Sequence, residues 1–231
     1  MTTIDRPPDY FDSQYRDYEK QSPARKLDHY LDVVDSHIGR SQQVSLLDLG
    51  CGLGAFLERA HRRHPDWALF AIDAEPRGVA KTAERVPSAT VKLYSADHQS
   101  FPDKSMDVVT AWDVIEHVDS LDKVAESVTM MLKPDGLFCF VVPVYDGPLG
   151  PLVRALDSDP THIHQTGRDH WQAWADSHFE ILEWHGIFRY LVAGRYYVHV
   201  PVRTLRGVAT AILIVCRRRE PARSGSQAST A

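Results

Sequence analysis

The segment Leu46–Ala60, "LLDLGCGLGAFLERA", decides the fold of this chain. An apolar run leads into three glycines at alternate positions, Gly50, Gly52 and Gly54, and then into a stretch with helical spacing. This order predicts a buried strand, a tight turn and a helix whose N-terminus faces a nucleotide-like ligand. The spacing also fits the dinucleotide-binding pattern, with Ala55 in the last small-residue position, so other residues have to decide the ligand.

Composition narrows the class of protein. The chain has 231 residues, 43% hydrophobic and 25% charged, which suits one soluble α/β domain with a sizeable core. The net charge of -5 gives no basic surface, so we expect no nucleic-acid partner. The three cysteines are widely spaced and form no CxxC pair, which suits a reducing compartment. No apolar stretch is long enough to span a membrane and the N-terminus resembles no signal peptide, so we expect a cytoplasmic protein with no membrane partner.

Strands and helices alternate outward from the glycine turn. Hydrophobic periodicity predicts strands at 44–49, 68–72, 91–94, 106–111, 137–142, 179–184 and 209–216. It predicts helices at 55–64, 76–85, 121–132 and 169–176, and a turn at 133–136. Such alternation is typical of an α/β fold with a mostly parallel sheet that is covered by helices on both faces.

The chain divides into three segments, and the second of them contains two insertions. Residues 1–40 form an amphipathic helical segment, divided by Pro23, that we expect to cover the active site. Residues 41–218 form the main domain. Two acceptor-side insertions are expected within it, a loop-rich one at 143–175 and an aromatic, irregular one at 188–208. Residues 219–231 are expected to be a disordered tail.

Acidic residues follow three of the predicted parallel strands. Asp48 precedes the first glycine, Asp73 ends the second strand and Asp97 follows the third. Ligands of such sheets bind beyond the carboxyl ends of the strands, where these side chains meet. A carboxylate at Asp48 opposes a pyrophosphate and suits a cation. S-adenosylmethionine carries an ammonium, a ribose diol and an adenine without any phosphate, and it fits three carboxylates.

With these residues in view, the sequence resembles the class I S-adenosylmethionine-dependent methyltransferases. The motifs are "LLDLGCGLG", "FAIDAEP", "YSADHQSFPDKSMDVVTAWDVIEHV" and "LKPDGLFCFVVP", which cover 46–143 strongly and the rest in outline. The resemblance implies a Rossmann-like, seven-stranded, mostly parallel sheet with an antiparallel last strand. It also implies S-adenosyl-L-methionine as the cofactor.

The resemblance further implies a set of cofactor-binding residues. Asp48 would hold the ammonium, Asp73 both ribose hydroxyls, and Asp97 the adenine amino group, with the backbone N–H of His98 on a ring nitrogen. The complete set is Asp48, Gly50, Cys51, Gly52, Asp73, Ala74, Asp97, His98, Trp112 and Val114.

Histidines and tyrosines are the candidates for the reaction itself. Methyl transfer to an alcohol needs a base, and His117 is the first candidate, followed by His162 and His164. We therefore expect a small, partly apolar organic acceptor that is methylated on oxygen, with nitrogen and carbon left open. The candidate substrate-binding residues are Tyr10, Tyr15, Tyr18, Tyr145, Tyr196 and Tyr197.

Several alternatives stay open at this point. Asp113, Glu116 and His117 stand at helical spacing and could bind a metal, although we predict none. A protein of the same fold could bind the cofactor without methylating, as a cyclase or a regulatory module. An NAD-dependent oxidoreductase is a less favoured alternative. The chain is expected to be a monomer or a homodimer.

Overall fold

The computed structural model describes residues 22–38, 43–157, 159–192 and 196–219. The helices in these ranges are α1 (Ala24–His37), α2 (Ala55–Arg63), α3 (Pro76–Arg85), α4 (Leu121–Met131), α5 (Gly150–Leu156) and α6 (Arg168–His178). The strands are β1 (Ser45–Leu49), β2 (Ala68–Asp73), β3 (Thr90–Leu93), β4 (Met106–Trp112), β5 (Leu132–Pro143), β6 (Phe179–Val192), β7 (Tyr196–Val202) and β8 (Ala211–Arg218). Two 3-10 turns lie at Ile115–His117 and Arg206–Val208.

The strands of the described ranges form one mixed sheet in the order β3-β2-β1-β4-β5-β8-β6-β7. The pairs from β3 to β5 are parallel, whereas β8 runs antiparallel to both β5 and β6. The Rossmann-like, mostly parallel sheet with an antiparallel last strand is therefore confirmed. The predicted count of seven strands is wrong, because the described residues contain an eighth strand, β7, which pairs with β6 at the edge.

Helices cover the sheet on both faces, as predicted. The side chains of β5 alternate between two cores: Phe138 and Phe140 belong to one, and Cys139 and Val141 to the other. The first core is closed by α4 and α6, and the second by α1 and α2. This alternation follows from the period of two in a strand that is buried on both faces.

Three local predictions are corrected by the structure. The segment 188–208 is not irregular: β6 and β7 form an antiparallel hairpin in which Val192 pairs with Tyr196. The segment 143–168 contains the helix α5. The predicted turn at 133–136 lies within β5, where the pairing with β4 shifts register and Asp135 adopts a φ of 61°. A turn-forming sequence is thus accommodated as an irregularity in a longer strand.

The division of the N-terminal segment at Pro23 stays a prediction, because the residues before Ser22 lie outside the described ranges. The structure shows the position of Pro23 itself. It is the N-cap residue of α1, which begins at Ala24. The preceding residues, including the predicted substrate contacts Tyr10, Tyr15 and Tyr18, lie outside the described residues.

Candidate active site at the carboxyl edge of the sheet

Asp48 is a buried carboxyl group near the end of β1. Its side chain accepts a hydrogen bond of 2.7 Å from the Thr110 hydroxyl, because Asp48 and Thr110 are paired residues of the neighbouring strands β1 and β4. Burial raises the pKa of Asp48 to about 7, although the Thr110 hydrogen bond acts in the opposite direction. A cation at this point would favour the ionised form, which makes Asp48 suited to an ammonium group.

The glycine turn brings the backbone close to the loop that follows β4. Gly50 has a φ of 66°, and a Cβ there would lie 2.5 Å from a methyl group of Val114. Gly52 and Gly54 also have positive φ values, 54° and 78°. Cys51, between Gly50 and Gly52, is buried, and its thiol contacts the Thr82 hydroxyl at 3.3 Å. The turn therefore requires glycine for its backbone conformation and for space.

Asp73 joins the ends of β1 and β2. One carboxylate oxygen accepts the Gly52 N–H at 2.7 Å, and the other accepts the Glu75 N–H at 2.8 Å. These bonds fix the glycine turn, yet each carboxylate oxygen can accept more than one hydrogen bond. Ala74 beside it is exposed. The same carboxylate can thus hold the turn and accept ribose hydroxyls.

Asp97 and His98 form a local turn after β3. The Asp97 carboxylate contacts Nδ1 of His98 at 2.8 Å, and the His98 N–H donates to the Ser95 carbonyl at 3.1 Å. The side chain of Asp97 is 14% exposed, so it remains accessible from outside. The adenine contacts assigned to this pair stay predictions.

Trp112, the last residue of β4, packs under α1. Its ring stacks on Tyr30 with centroids 4.3 Å apart and meets the Phe56 ring edge-on at 5.3 Å. Tyr30 is completely buried. Trp112 therefore connects the N-terminal helix to the end of the sheet where Asp48 and Gly50 lie.

A second polar group lies in the loop after β4. Glu116 is completely buried, and neither carboxylate oxygen has a hydrogen-bond partner among the described residues. Burial and the nearby charge of Asp113 raise the pKa of Glu116 well above its usual range. Glu116, His117 and His162 each offer one ligand atom, and these atoms lie within 4.8 Å of one another.

The two histidines of this group are oriented through their Nδ1 atoms. Nδ1 of His117 lies 3.1 Å from the Thr161 carbonyl and 2.8 Å from the Thr161 hydroxyl. Nδ1 of His162 lies 2.8 Å from the Asp157 carboxylate and 3.1 Å from the Tyr145 hydroxyl. The rings of His117 and His162 are 4.6 Å apart. The structure thus brings two of the three candidate bases together.

His164 has a separate environment. Its Nε2 donates to the Val118 carbonyl at 2.8 Å, and its backbone N–H bonds the Glu116 carbonyl at 3.2 Å. The Ile163 N–H bonds the same carbonyl at 3.1 Å. These bonds attach the segment 161–164 to the 3-10 turn, which is how His162 reaches Glu116 from a distant part of the chain.

Asp113 does not belong to the group that contains Glu116 and His117. It has a φ of 60°, so residues 113–117 do not form the α-helical face that the metal alternative assumed. Its carboxylate pairs instead with Arg189 of β6 and, at 3.4 Å, with Lys26 of α1. Burial acts to raise the pKa of Asp113, but the two cations lower it to about 2.

The described tyrosines lie on either side of these residues. Tyr145 is buried and donates from its hydroxyl to Asp157 at 2.5 Å. Tyr197 lies on β7, where Lys26 sits 5.2 Å from its ring centroid. Tyr196 begins β7, but its side chain is outside the described residues.

Sequence reasoning missed three partners of the candidate site residues: Thr110, Asp157 and Arg189. A register prediction for the adjacent strands β1 and β4 could have found Thr110 beside Asp48. Neither Asp157 nor Arg189 carries a local signal, because both reach the site through the fold of the long insertions.

Comparison with known proteins places the chain in a family. A family model described as "Methyltransferase domain" matches residues 15–189. The chain belongs to this methyltransferase family. The family is that of the class I S-adenosylmethionine-dependent methyltransferases, whose cofactor is S-adenosyl-L-methionine. Neither the dinucleotide alternative nor the non-methylating one is favoured.

Individual relatives differ in the atom they methylate. The methyltransferase is 38% identical over 140 residues to nocamycin O-methyltransferase of Saccharothrix syringae, covering 56% of this chain and 48% of that one. It spans about half the length of the curated relatives it matches.

Two solved structures share the fold. One is an S-adenosylmethionine-dependent methyltransferase of Thermotoga maritima, with a TM-score of 0.68, 12% identity and coverage of 91% of this chain and 97% of that one. The other is geranyl diphosphate C-methyltransferase of Streptomyces coelicolor, solved with S-adenosyl-L-homocysteine, with a TM-score of 0.63, 14% identity and coverage of 85% and 76%.

No helix of the described ranges is both long and apolar enough to cross a bilayer.

Proposed function

We propose that this methyltransferase transfers the methyl group of S-adenosylmethionine to an oxygen atom of a small organic acceptor. The acceptor O–H bond breaks and its proton leaves, the oxygen bonds the methyl carbon, and the S–CH3 bond breaks with its electron pair remaining on sulfur. The products are the methylated acceptor, S-adenosylhomocysteine and a proton. The observation that carries the proposal is the group of Glu116, His117 and His162 beyond the carboxyl end of β4.

Oxygen is favoured over other acceptor atoms because a hydroxyl has to lose a proton. An imidazole pair beside a buried carboxyl group is suited to activating a hydroxyl. His162 is held by Asp157 and His117 by Thr161, so both rings have fixed orientations. The name of the O-methyltransferase relative from Saccharothrix supports the same choice.

The cofactor is proposed to bind on the same edge of the sheet. Asp48 would hold the ammonium, Asp73 the ribose and Asp97 the adenine, while the glycine turn and the N-terminus of α2 face the methionine carboxylate. Asp48 is supported by its burial, because its ionised form is poorly solvated there and would be stabilised by a cation.

The acceptor pocket is proposed to lie between the N-terminal segment and the two insertions. Contacts between the segments support this arrangement. Tyr30 of α1 stacks on Trp112, Lys26 pairs with Asp113, and Arg189 of the second insertion pairs with the same Asp113. Tyr145 extends this surface to His162. We propose that residues 1–40 cover the site and that 143–175 and 188–208 select the acceptor.

The proposal is tested by measuring the rate of methyl transfer and the affinity for the cofactor product separately in the same variants. The enzyme is incubated with isotope-labelled S-adenosylmethionine and a metabolite extract, and labelled product is counted. We expect His162→Ala to lower the rate by about 100-fold or more while the affinity for S-adenosylhomocysteine changes by less than about twofold. His170→Ala is the matched control, because His170 is exposed in the same part of the chain.

Two results would contradict a role of His162 in the methyl-transfer step. A His162→Ala enzyme that keeps its rate but loses cofactor affinity would make His162 a cofactor contact. Equal rates in His162→Ala, His117→Ala and His170→Ala would remove both histidines from the chemistry.

A further inference from the structure

We propose that Glu116, His117 and His162 bind one divalent transition-metal ion. This inference deepens the proposed function and rests on it for the role of the ion, but not for its binding. The three residues come from two segments, the 3-10 turn after β4 and the loop before α6, and their ligand atoms lie within 4.8 Å of one another.

The buried carboxyl group of Glu116 needs a cation. Its side chain is completely buried, and both oxygens lack a hydrogen-bond partner among the described residues. An ionised carboxylate in this position costs several kcal/mol unless a cation compensates it, by the order of magnitude known for buried charges. A protonated carboxyl group would still leave its own O–H unsatisfied. A metal ion satisfies both requirements.

Hydrogen bonds at Nδ1 determine the tautomers of His117 and His162. The Thr161 hydroxyl donates to Asp159 at 2.6 Å, so it can only accept from Nδ1 of His117. The Asp157 carboxylate likewise can only accept from Nδ1 of His162. Both neutral rings therefore carry their proton on Nδ1 and their lone pair on Nε2.

This pattern is the usual support of metal-binding histidines. A ligating histidine commonly donates its other ring N–H to a carboxylate or a backbone carbonyl, which fixes the ring and raises its basicity. His162 donates to a carboxylate and His117 to a carbonyl and a hydroxyl. Two independent hydrogen-bond networks thus orient the two rings so that each can offer its Nε2 lone pair to an ion.

The donor set indicates the kind of ion. Two imidazoles and one carboxylate suit zinc, cobalt or manganese better than magnesium or calcium, which prefer oxygen ligands. Tetrahedral bonds of about 2.1 Å place ligand atoms roughly 3.4 Å apart. Side-chain movements of about 1 Å would bring the ligand atoms, which now lie within 4.8 Å of one another, to that separation. Three protein ligands leave a position for a fourth, as in catalytic sites.

The open position gives the ion its role. An acceptor hydroxyl bound there would lose its proton to solvent at a lower pH than in water, because a divalent cation stabilises the oxygen anion. The oxygen then takes the methyl group from the sulfonium, as written above. Asp113 is not a competing ligand, since Arg189 and Lys26 already hold its carboxylate.

Metal binding can be measured without the acceptor. The full chain is stripped with a chelator, desalted and titrated with Zn²⁺ by calorimetry, and with Co²⁺ by visible absorption. We expect one equivalent to bind with micromolar affinity or better. Glu116→Gln and His162→Ala should each weaken this binding by about 100-fold, and Asp157→Asn by about 10-fold or more.

The variants include their own controls. Glu116→Gln keeps the shape of the side chain and removes a buried charge, so it should fold at least as well as the wild type. His170→Ala removes an exposed histidine and should bind like the wild type. His199→Gln tests the separate cluster of His29, His185 and His199. Equal affinities in wild type and Glu116→Gln, or loss of binding in His199→Gln alone, would overturn the proposal.

A methyl-transfer assay separates the two proposals. Labelled O-methyl product from a stripped enzyme that binds no metal would end the metal inference and leave the proposed function intact. Tight binding that depends on Glu116 and His162, with the label found on a nitrogen or carbon atom, would keep the metal site and end the oxygen assignment.

Discussion

At the scale of single residues, Asp48 is the proposed contact of the cofactor ammonium. It is buried near the end of β1, and its pKa is raised to about 7. An ammonium group binds the ionised form, so cofactor binding has to release a proton wherever Asp48 is protonated in the free enzyme. The affinity should therefore be constant above about pH 8 and fall by up to about tenfold per pH unit below pH 7.

Calorimetry with S-adenosylhomocysteine, which carries the same ammonium, checks this prediction between pH 5.5 and 8.5. Asp48→Asn should weaken binding at pH 8 by about 10- to 100-fold. Its affinity should also no longer fall as the pH decreases below 7. An Asp48→Asn enzyme with the wild-type affinity and pH profile would show that the ammonium binds elsewhere.

Gly50 is the second residue with a measurable role. Alanine at this position has to adopt a φ of 66° and meets Val114 at 2.5 Å. We expect Gly50→Ala to lower the free energy of unfolding by about 2–3 kcal/mol in urea titrations. Adding Val114→Ala should restore part of this loss because it removes the steric clash.

Gly207→Ala is the control for this experiment. A Cβ at Gly207 meets nothing within 4 Å, so we expect its stability to stay within about 0.5 kcal/mol of the wild type. Equal stability of Gly50→Ala and Gly207→Ala would mean that the glycine turn tolerates a side chain.

Individual residues differ in how well the sequence predicts them. The glycine turn and Asp73 stand in a short segment that combines strand, turn and helix signals. Glu116 and His117 are adjacent in the sequence, and the metal alternative grouped them with Asp113. The structure supplies His162 instead, because hydrogen bonds of Ile163 and His164 to the Glu116 carbonyl attach a loop that sequence spacing cannot place.

At the scale of elements, three histidines join α1 to the β6–β7 hairpin. Nδ1 of His29 lies 2.9 Å from His199, and its Nε2 lies 3.1 Å from His185. Burial lowers the pKa values of His29 and His185 to about 4 and that of His199 to about 3. His29 and His199 line a groove of about 400 Å³ that opens to solvent.

These shifts predict that acid weakens the contact. The unfolded chain binds more protons than the folded one between about pH 6.5 and pH 4, so stability falls as the pH decreases through this window. The expected loss at pH 5 is roughly 1–2 kcal/mol for each histidine, since the groove admits some solvent. Each contact between two of these rings needs one N–H donor and one acceptor nitrogen. Protonation of a ring converts its acceptor nitrogen into a second donor, so the hydrogen bond is lost.

Urea unfolding at pH 5 and pH 7.5 measures this loss. His29→Gln removes the ring common to both contacts and should reduce the difference between the two pH values by about half or more. His178→Gln, on the other core face, should leave the difference unchanged. A His29→Gln protein with the wild-type pH dependence would show that acid acts elsewhere in the fold.

The hairpin itself was the element that sequence analysis missed. Aromatic residues, a glycine and Pro201 obscured the alternating pattern of β6 and β7. Pro201 is tolerated because β7 is the edge strand of the described sheet, where an absent N–H breaks few sheet hydrogen bonds. Pattern-based reasoning treats proline as evidence against a strand and has no means of knowing which strand lies at the edge.

At the scale of the whole molecule, the parallel half of the sheet was predictable. Strands β1, β2 and β4 are short and mostly buried, and each is followed by a glycine or acidic turn, so local signals and chain order agree. The antiparallel half was less predictable, since its strands pair across insertions rather than through repeated helices. The same division applies to function: the proposed cofactor residues follow the strands of the regular half, and the proposed acceptor residues depend on the insertions.

Transfer of a ¹³C-labelled methyl group to a metabolite extract measures the proposed reaction itself. Wild-type enzyme is compared with the paired variant Asp48→Asn/His162→Ala, and labelled products are isolated and examined by NMR for the atom that carries the methyl group. We expect a labelled methyl group on an oxygen atom of a small organic molecule, formed by the wild type and lost in the paired variant. A labelled methyl on nitrogen, carbon or sulfur, or equal labelling by both enzymes, would contradict it.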